Sequence, residues 1–110
     1  MERFVKGDIV VLPFPYSDLS SSKKRPAMVM AALKGEDIIL CQITSQFVKD
    51  NYAITLDSSD FKIGSLNKPS NIRPNRLFTA DKSIITRKIG TVKPEVFEKV
   101  VDKLCEIIKY

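Results

Sequence analysis

The chain has 110 residues, 44% hydrophobic and 28% charged, enough apolar surface for one modest core and one domain over residues 1–110. No apolar run approaches the roughly 18 residues of a membrane span, and histidine is absent, which excludes Ser-His-Asp and Cys-His nucleophiles, paired-imidazole RNA cleavage and most zinc chemistry. The net charge of +5 is uneven: residues 94–110 carry −1, leaving +6 on the first 93, a distribution that suits a polyanionic partner.

Near the start, Gly7-Asp8 reads as a turn feeding a buried strand, Ile9 to Leu12, which Pro13, Pro15 and Ser17-Asp18 end. Arg3, Lys6 and Asp8 interrupt the apolar runs that a secretory leader would need, so a soluble, cytoplasmic protein is expected. Ser20, Ser21 and Ser22 then precede Lys23-Lys24-Arg25-Pro26, a hydroxyl-rich loop closing on three cations where the next strand begins. A residue before proline is held extended, so Arg25 is fixed at the strand mouth in a way its lysine neighbours are not.

Ala27 to Ala32 and Ile38 to Ile43 are continuous apolar runs around Gly35-Glu36-Asp37, the pattern of paired antiparallel strands inside a barrel or sandwich. Pairing 26–33 with 37–44 places position 26 opposite about position 44, so Arg25 and Thr44 emerge together at one sheet edge, beside Ser45 and Gln46. Tyr52 to Leu56 alternates like a strand with one wet face, and Asp57-Ser58-Ser59-Asp60 caps or turns the chain. Beyond Phe61 the sequence reads as a loop through Asn67-Lys68-Pro69, with a strand resuming around Ile72. Leu77 to Ala80 and Ser83 to Thr86 read as two short strands or one bent one, with Gly90 ending the β region.

Pro94 suits a first helical position, and Val96, Phe97, Val100, Val101, Leu104, Ile107 and Ile108 recur on one helical stripe, predicting an amphipathic helix that covers the barrel. Cys41 and Cys105 are far apart with no CxxC spacing, which predicts two reduced, half-buried thiols. The isolated glycines at 7, 35, 64 and 90 form neither a P-loop nor a dinucleotide fingerprint. Asp57 with Asp60, and Glu36 with Asp37, read as turn residues, so no metal or cofactor is expected.

Lys6-Gly7-Asp8-Ile9-Val10, the serine-rich loop into Arg25-Pro26, Ile43-Thr44-Ser45-Gln46, Phe78-Thr79-Ala80-Asp81-Lys82-Ser83 with Ile89-Gly90, and the closing helix together resemble the MazF/PemK toxins of bacterial toxin-antitoxin pairs. The resemblance spans nearly the whole chain and implies a mainly β, SH3-like small barrel with a C-terminal α-helix, assembled as a homodimer. It also implies ribosome-independent, metal-independent cleavage of single-stranded RNA, mRNA in the cell, to a 2′,3′-cyclic phosphate and a 5′-hydroxyl, restrained by a cognate antitoxin.

By that resemblance the catalytic pair is Arg25 and Thr44, the arginine binding charge on the phosphate and the threonine positioning the phosphate or the 2′-OH. RNA contacts then fall to Ser20, Ser21, Ser22, Lys23, Lys24, Ser45, Gln46, Lys68, Arg73, Asn75 and Arg76, with Lys62 extending the positive surface. PemK-like members carry an arginine and an aspartate two residues apart, and a histidine. Here Arg73 matches the arginine, Asn75 stands where the aspartate would be, and there is no histidine. Ser20 occupies the place of a glutamate often found in MazF-like toxins, so the general base is unassigned. Two alternatives follow: a CcdB-like gyrase-binding toxin acting through Ile107, Ile108 and Tyr110, and a non-catalytic RNA-binding relative.

Overall fold

The computed structural model describes residues 3–14 and 23–110. Seven strands, β1 (Asp8–Pro13), β2 (Lys24–Ala32), β3 (Asp37–Thr44), β4 (Ile54–Leu56), β5 (Phe61–Gly64), β6 (Ser70–Asp81) and β7 (Arg87–Val92), precede one helix, α1 (Pro94–Lys109). They form a single sheet in the order β4-β6-β3-β2-β1-β7-β5, with every neighbouring pair antiparallel.

One core draws on every strand: Ile9, Met28, Cys41, Leu56, Phe61, Ile72 and Val92 meet Val96 and Val100 of α1. In a flat seven-stranded sheet the edge strands would stand about 29 Å apart, at about 4.8 Å per strand. A shared core therefore requires the sheet to curl. No ladder joins β4 to β5, so the result is a half-barrel whose open side α1 fills. The opposite face holds a second cluster, Val10, Leu12, Phe14, Ala27, Val29, Ile38 and Leu40, in which the Phe14 and Phe78 rings meet edge to face at 5.1 Å. Burial on both faces explains the unbroken apolar runs of β2 and β3, each fully buried side chain contributing roughly 1.5–3 kcal/mol.

Pro94 opens α1 as predicted, and its stripe buries Val96 and Val100 with Phe97, Val101 and Leu104 packed beside them. Gly35 (φ +83°) makes the β2–β3 turn, which Leu33 N–H closes by donating to Asp37 O at 3.0 Å. Asp8 does more than turn the chain. It is 1% exposed and accepts hydrogen bonds from Val5 N (2.9 Å) and Thr91 Oγ1 (2.8 Å), tying β1 to β7.

Several boundaries differ from the sequence reading. β2 begins at Lys24 rather than Pro26, because β1 extends to Pro13 and pairs with it there. The segment after Phe61, predicted as loop, forms β5 and pairs with β7, a strand too short for periodicity to reveal. β6 is one 12-residue strand, the Ser83 to Thr86 region is a 3₁₀ turn (Lys82–Ile84) with its exit, and the β region runs past Gly90 to Val92. The cysteines are not half-buried: Cys41 is buried and Cys105 exposed.

Candidate RNA-cleavage site

Two cross-strand rows build the site. β2 and β3 pair as Ala32↔Ile38 and Ala31↔Ile39 near the turn, but as Val29↔Leu40 and Ala27↔Gln42 further out, so a bulge at Met30 shifts the register by one. Continued outward, this shifted register sets Arg25 level with Thr44, one residue closer than simple pairing predicts. Leu12 pairs with Arg25, while Thr44 pairs with Asn71 and Asn71 with Thr55, so Arg25 and Thr44 each end a cross-strand row on their own side of the β2–β3 seam. The adjacent row, two residues away and about 7 Å along the strands, runs Val10, Ala27, Gln42, Arg73. Directly paired residues share a face, so Arg25, Thr44, Asn71, Gln42 and Arg73 form a polar extension of the second apolar cluster.

β6 supplies its part through an irregularity. Leu77 pairs with Cys41 but Arg73 pairs with Gln42, which leaves Pro74, Asn75 and Arg76 looped out of the ladder. Proline has no N–H to donate, so position 74 loses nothing by leaving it. Asn75 and Arg76 are consequently exposed beside the row that holds Arg73.

Arg25 and Thr44 are half-buried at the mouth of a groove of about 390 Å³. Lys23, Lys24 and Lys68 line it with Arg25, Ser45 and Gln46 add polar groups, and no carboxylate among the described residues enters it. Thr44 Oγ1 accepts the Gln46 N–H at 3.1 Å, and Asn71 Nδ2 donates to Gln46 O at 3.3 Å, which fixes the strand end. Its own O–H has no acceptor among the described residues, and no carboxylate there pairs with Arg25. A second groove of about 390 Å³ shares Lys24, Pro26, Leu66 and Asn67 as its wall and adds Arg87.

Arg73 behaves differently. Its Nη2 lies 3.0 Å from Asp50 Oδ2, an oxygen that also accepts from Asn75 Nδ2 at 3.3 Å, while Tyr52 N–H donates to Oδ1 at 3.0 Å. Partial burial alone would raise the Asp50 pKa, but these three hydrogen bonds and the guanidinium charge outweigh it and hold the carboxyl below its ordinary value. The sequence reading missed Asp50, which lies 23 residues from Arg73 in a loop. Position 75 of β6 carries an amide, and the carboxylate beside Arg73 comes from the β3–β4 connection.

Of the other expected residues, Ser20, Ser21 and Ser22 lie outside the described residues. Lys62 sits on β5, at the opposite end of the strand order from β6, and lines neither groove. It therefore does not extend the surface along β6, a correction that follows from β5 pairing with β7. Among the described residues no three His, Cys, Asp or Glu side chains converge to hold a metal ion.

The sequence matches, over residues 5–108, the family described as the PemK-like, MazF-like toxin of type II toxin-antitoxin systems. The chain belongs to that family. No curated protein matches this MazF-like toxin in sequence. Its fold is similar to MazF (Form-I) from Deinococcus radiodurans, at TM-score 0.78 and 19% identity with 100% of both chains covered. It is likewise similar to an endoribonuclease in complex with its cognate antitoxin from a mycobacterial species, at TM-score 0.77 and 13% identity over 97% of this chain and 96% of that one. For the Mycobacterium tuberculosis toxin MazF-mt6 the TM-score is 0.73 and the identity 14%, over 93% and 96% of the two chains. The mainly β half-barrel with one C-terminal helix is the MazF-like fold.

Proposed function

We propose that this toxin is a metal-independent, sequence-selective endoribonuclease that cleaves single-stranded RNA, mRNA in the cell, to a 2′,3′-cyclic phosphate and a 5′-hydroxyl. The observation that carries the reading is that Arg25 and Thr44 line one groove with Lys23, Lys24 and Lys68, and that no carboxylate of the described residues enters it. The groove's field attracts the phosphate backbone, and water is displaced as the strand enters. Attack by the 2′-oxygen adds charge to the phosphate, which the Arg25 guanidinium meets with two parallel N–H bonds. The unused Thr44 O–H donates to a phosphate oxygen. DNA, lacking the 2′-OH, fills the same groove but is not cleaved.

The partners in this reading are mRNA, a second copy of the chain in a homodimer, and a cognate antitoxin whose disordered acidic segment occupies the same groove. The similarity to an endoribonuclease crystallised with its antitoxin supports the last of these. No helix among the described residues is long and apolar enough to cross a membrane, and the reading places the protein in the cytoplasm, where mRNA is.

Incubating the purified protein with a long single-stranded RNA in EDTA tests the reading. Fragments whose 5′ ends accept phosphate directly from a polynucleotide kinase are expected, and Arg25→Ala should abolish them. Intact RNA overturns it, and tight binding with no cleavage identifies the non-catalytic relative. One observation favours the gyrase-binding alternative: Ile108 and Tyr110 at the end of α1 are 70% and 97% exposed. Gyrase-dependent DNA breaks with undamaged RNA would establish that alternative.

A further inference from the structure

The proposed reaction needs a proton acceptor for the 2′-hydroxyl, and among the described residues that line the groove of Arg25 and Thr44 there is none. Hydroxyls, amides and guanidiniums do not take a proton near neutral pH, and the chain has no histidine. Elsewhere on this face the carboxylates of the described residues are spent or distant. Asp37 pairs with Asp81 at the turn end of β3, Glu36 meets Lys82 there, and Asp57 and Asp60 cap a 3₁₀ turn. Among the described residues, Asp50 is the carboxylate at the site's end of the sheet.

We propose that Asp50 is that proton acceptor: Arg73 and Asn75 hold its carboxylate beside the row adjacent to Arg25 and Thr44, where it takes the proton of the attacking 2′-hydroxyl. The assignment rests on the endoribonuclease reading above and deepens it. Three donors fix the group, Arg73 and Asn75 on Oδ2 and the Tyr52 amide on Oδ1. An ionised carboxylate offers about four lone-pair positions, so one stays open on Oδ1 for the 2′-OH. The side chain is 25% exposed, open enough for a ribose to reach and enclosed enough to stay oriented. The loop that carries it is pinned at both ends, by Asn71 Nδ2 on Gln46 O and by the Tyr52 amide on Asp50 itself. A base held in place before substrate arrives spares the entropy of finding it.

The step balances as a transesterification. The 2′-oxygen bonds to phosphorus as its proton passes to Asp50 Oδ1, and the bond from phosphorus to the 5′-oxygen breaks. The departing 5′-oxygen takes a proton from water while Arg25 supports the charge on the phosphate. Asp50 then returns its proton to water, so no net proton is gained or lost.

The hydrogen bonds that keep the Asp50 carboxyl below its ordinary range make it a modest base that stays ionised through mildly acidic pH. That sets the test, single-turnover cleavage of a defined oligoribonucleotide across pH 4 to 9. Wild type should be level above the carboxylate range. Asp50→Asn should lose about 10²- to 10⁴-fold in rate with little change in KM, and its residual rate should climb with pH as hydroxide takes over. A profile for Asp50→Asn that keeps the wild-type shape, whatever its height, overturns the assignment and makes Asp50 a positioning residue for Arg73. Should Asp50→Asn fail to fold, Asp50→Glu decides: a displaced acid limb supports the assignment and an unmoved one overturns it. Wild-type protein that cleaves no RNA overturns the endoribonuclease reading and this assignment with it, a result distinct from active wild type with an unaltered Asp50 variant.

Discussion

Gly64 of β5 faces Gly90 of β7 across their ladder so closely that a Cβ on Gly64 would stand 2.1 Å from the Ile89 carbonyl oxygen, and one on Gly90 2.5 Å from that of Ile63. Gly64 also has φ +79°, a conformation that L side chains rarely adopt. This contact launches the chain toward Leu66, Asn67 and Lys68, the wall shared by or flanking both grooves. Gly64→Ala should therefore cost about 2 kcal/mol or more, from the left-handed conformation and the clash together, measured by urea unfolding. Gly35→Ala, also at positive φ but with nothing within 4 Å, should cost only about 1–2 kcal/mol.

Arg25→Lys separates charge from geometry. Lysine keeps the positive field but offers a point charge in place of two parallel donors. Cleavage should fall about 10²- to 10³-fold, the usual loss when one preorganised donor to a developing oxyanion is removed, while affinity for a deoxy analogue at low salt changes little. Single-turnover rates with a fluorescence-anisotropy titration measure the two separately. Equal losses in both would show that Arg25 acts only in binding.

The four cations of the groove, Lys23, Lys24, Arg25 and Lys68, set a salt dependence. Binding of an uncleavable single strand should fall with log salt at a slope of about −3, and Lys68→Ala should make the slope shallower by about 0.7. Lys62→Ala, on a strand outside both grooves, should leave it unchanged.

The two thiols should react on different schedules. Desolvation pushes the Cys41 pKa up to about 12, against a smaller lowering by a backbone hydrogen bond, and its Sγ meets Met30 Sδ at 3.6 Å inside the core. Cys105 is exposed. A thiol-specific chromogenic reagent at pH 8 should titrate one thiol per native chain and two in denaturant. Fast reaction of both in buffer would mean that the β2–β3 core opens readily.

By itself the sequence determined what depends on local pattern. The apolar runs of β1, β2 and β3, the Gly35 turn and the stripe after Pro94 have one period or one conformational demand each, and neighbours in the chain satisfy them. It also determined that Arg25 and Thr44 belong together, because a tight hairpin fixes which residues face each other to within one position. The tertiary structure decided the rest. The bulge at Met30 shifted the β2–β3 register by one residue, and β5 formed because β7 offered an edge and two glycines allowed close approach. Asp50 joined Arg73 from 23 residues away, since a carboxylate seeks its cation through space, and no spacing rule connects a loop to the strand it folds against.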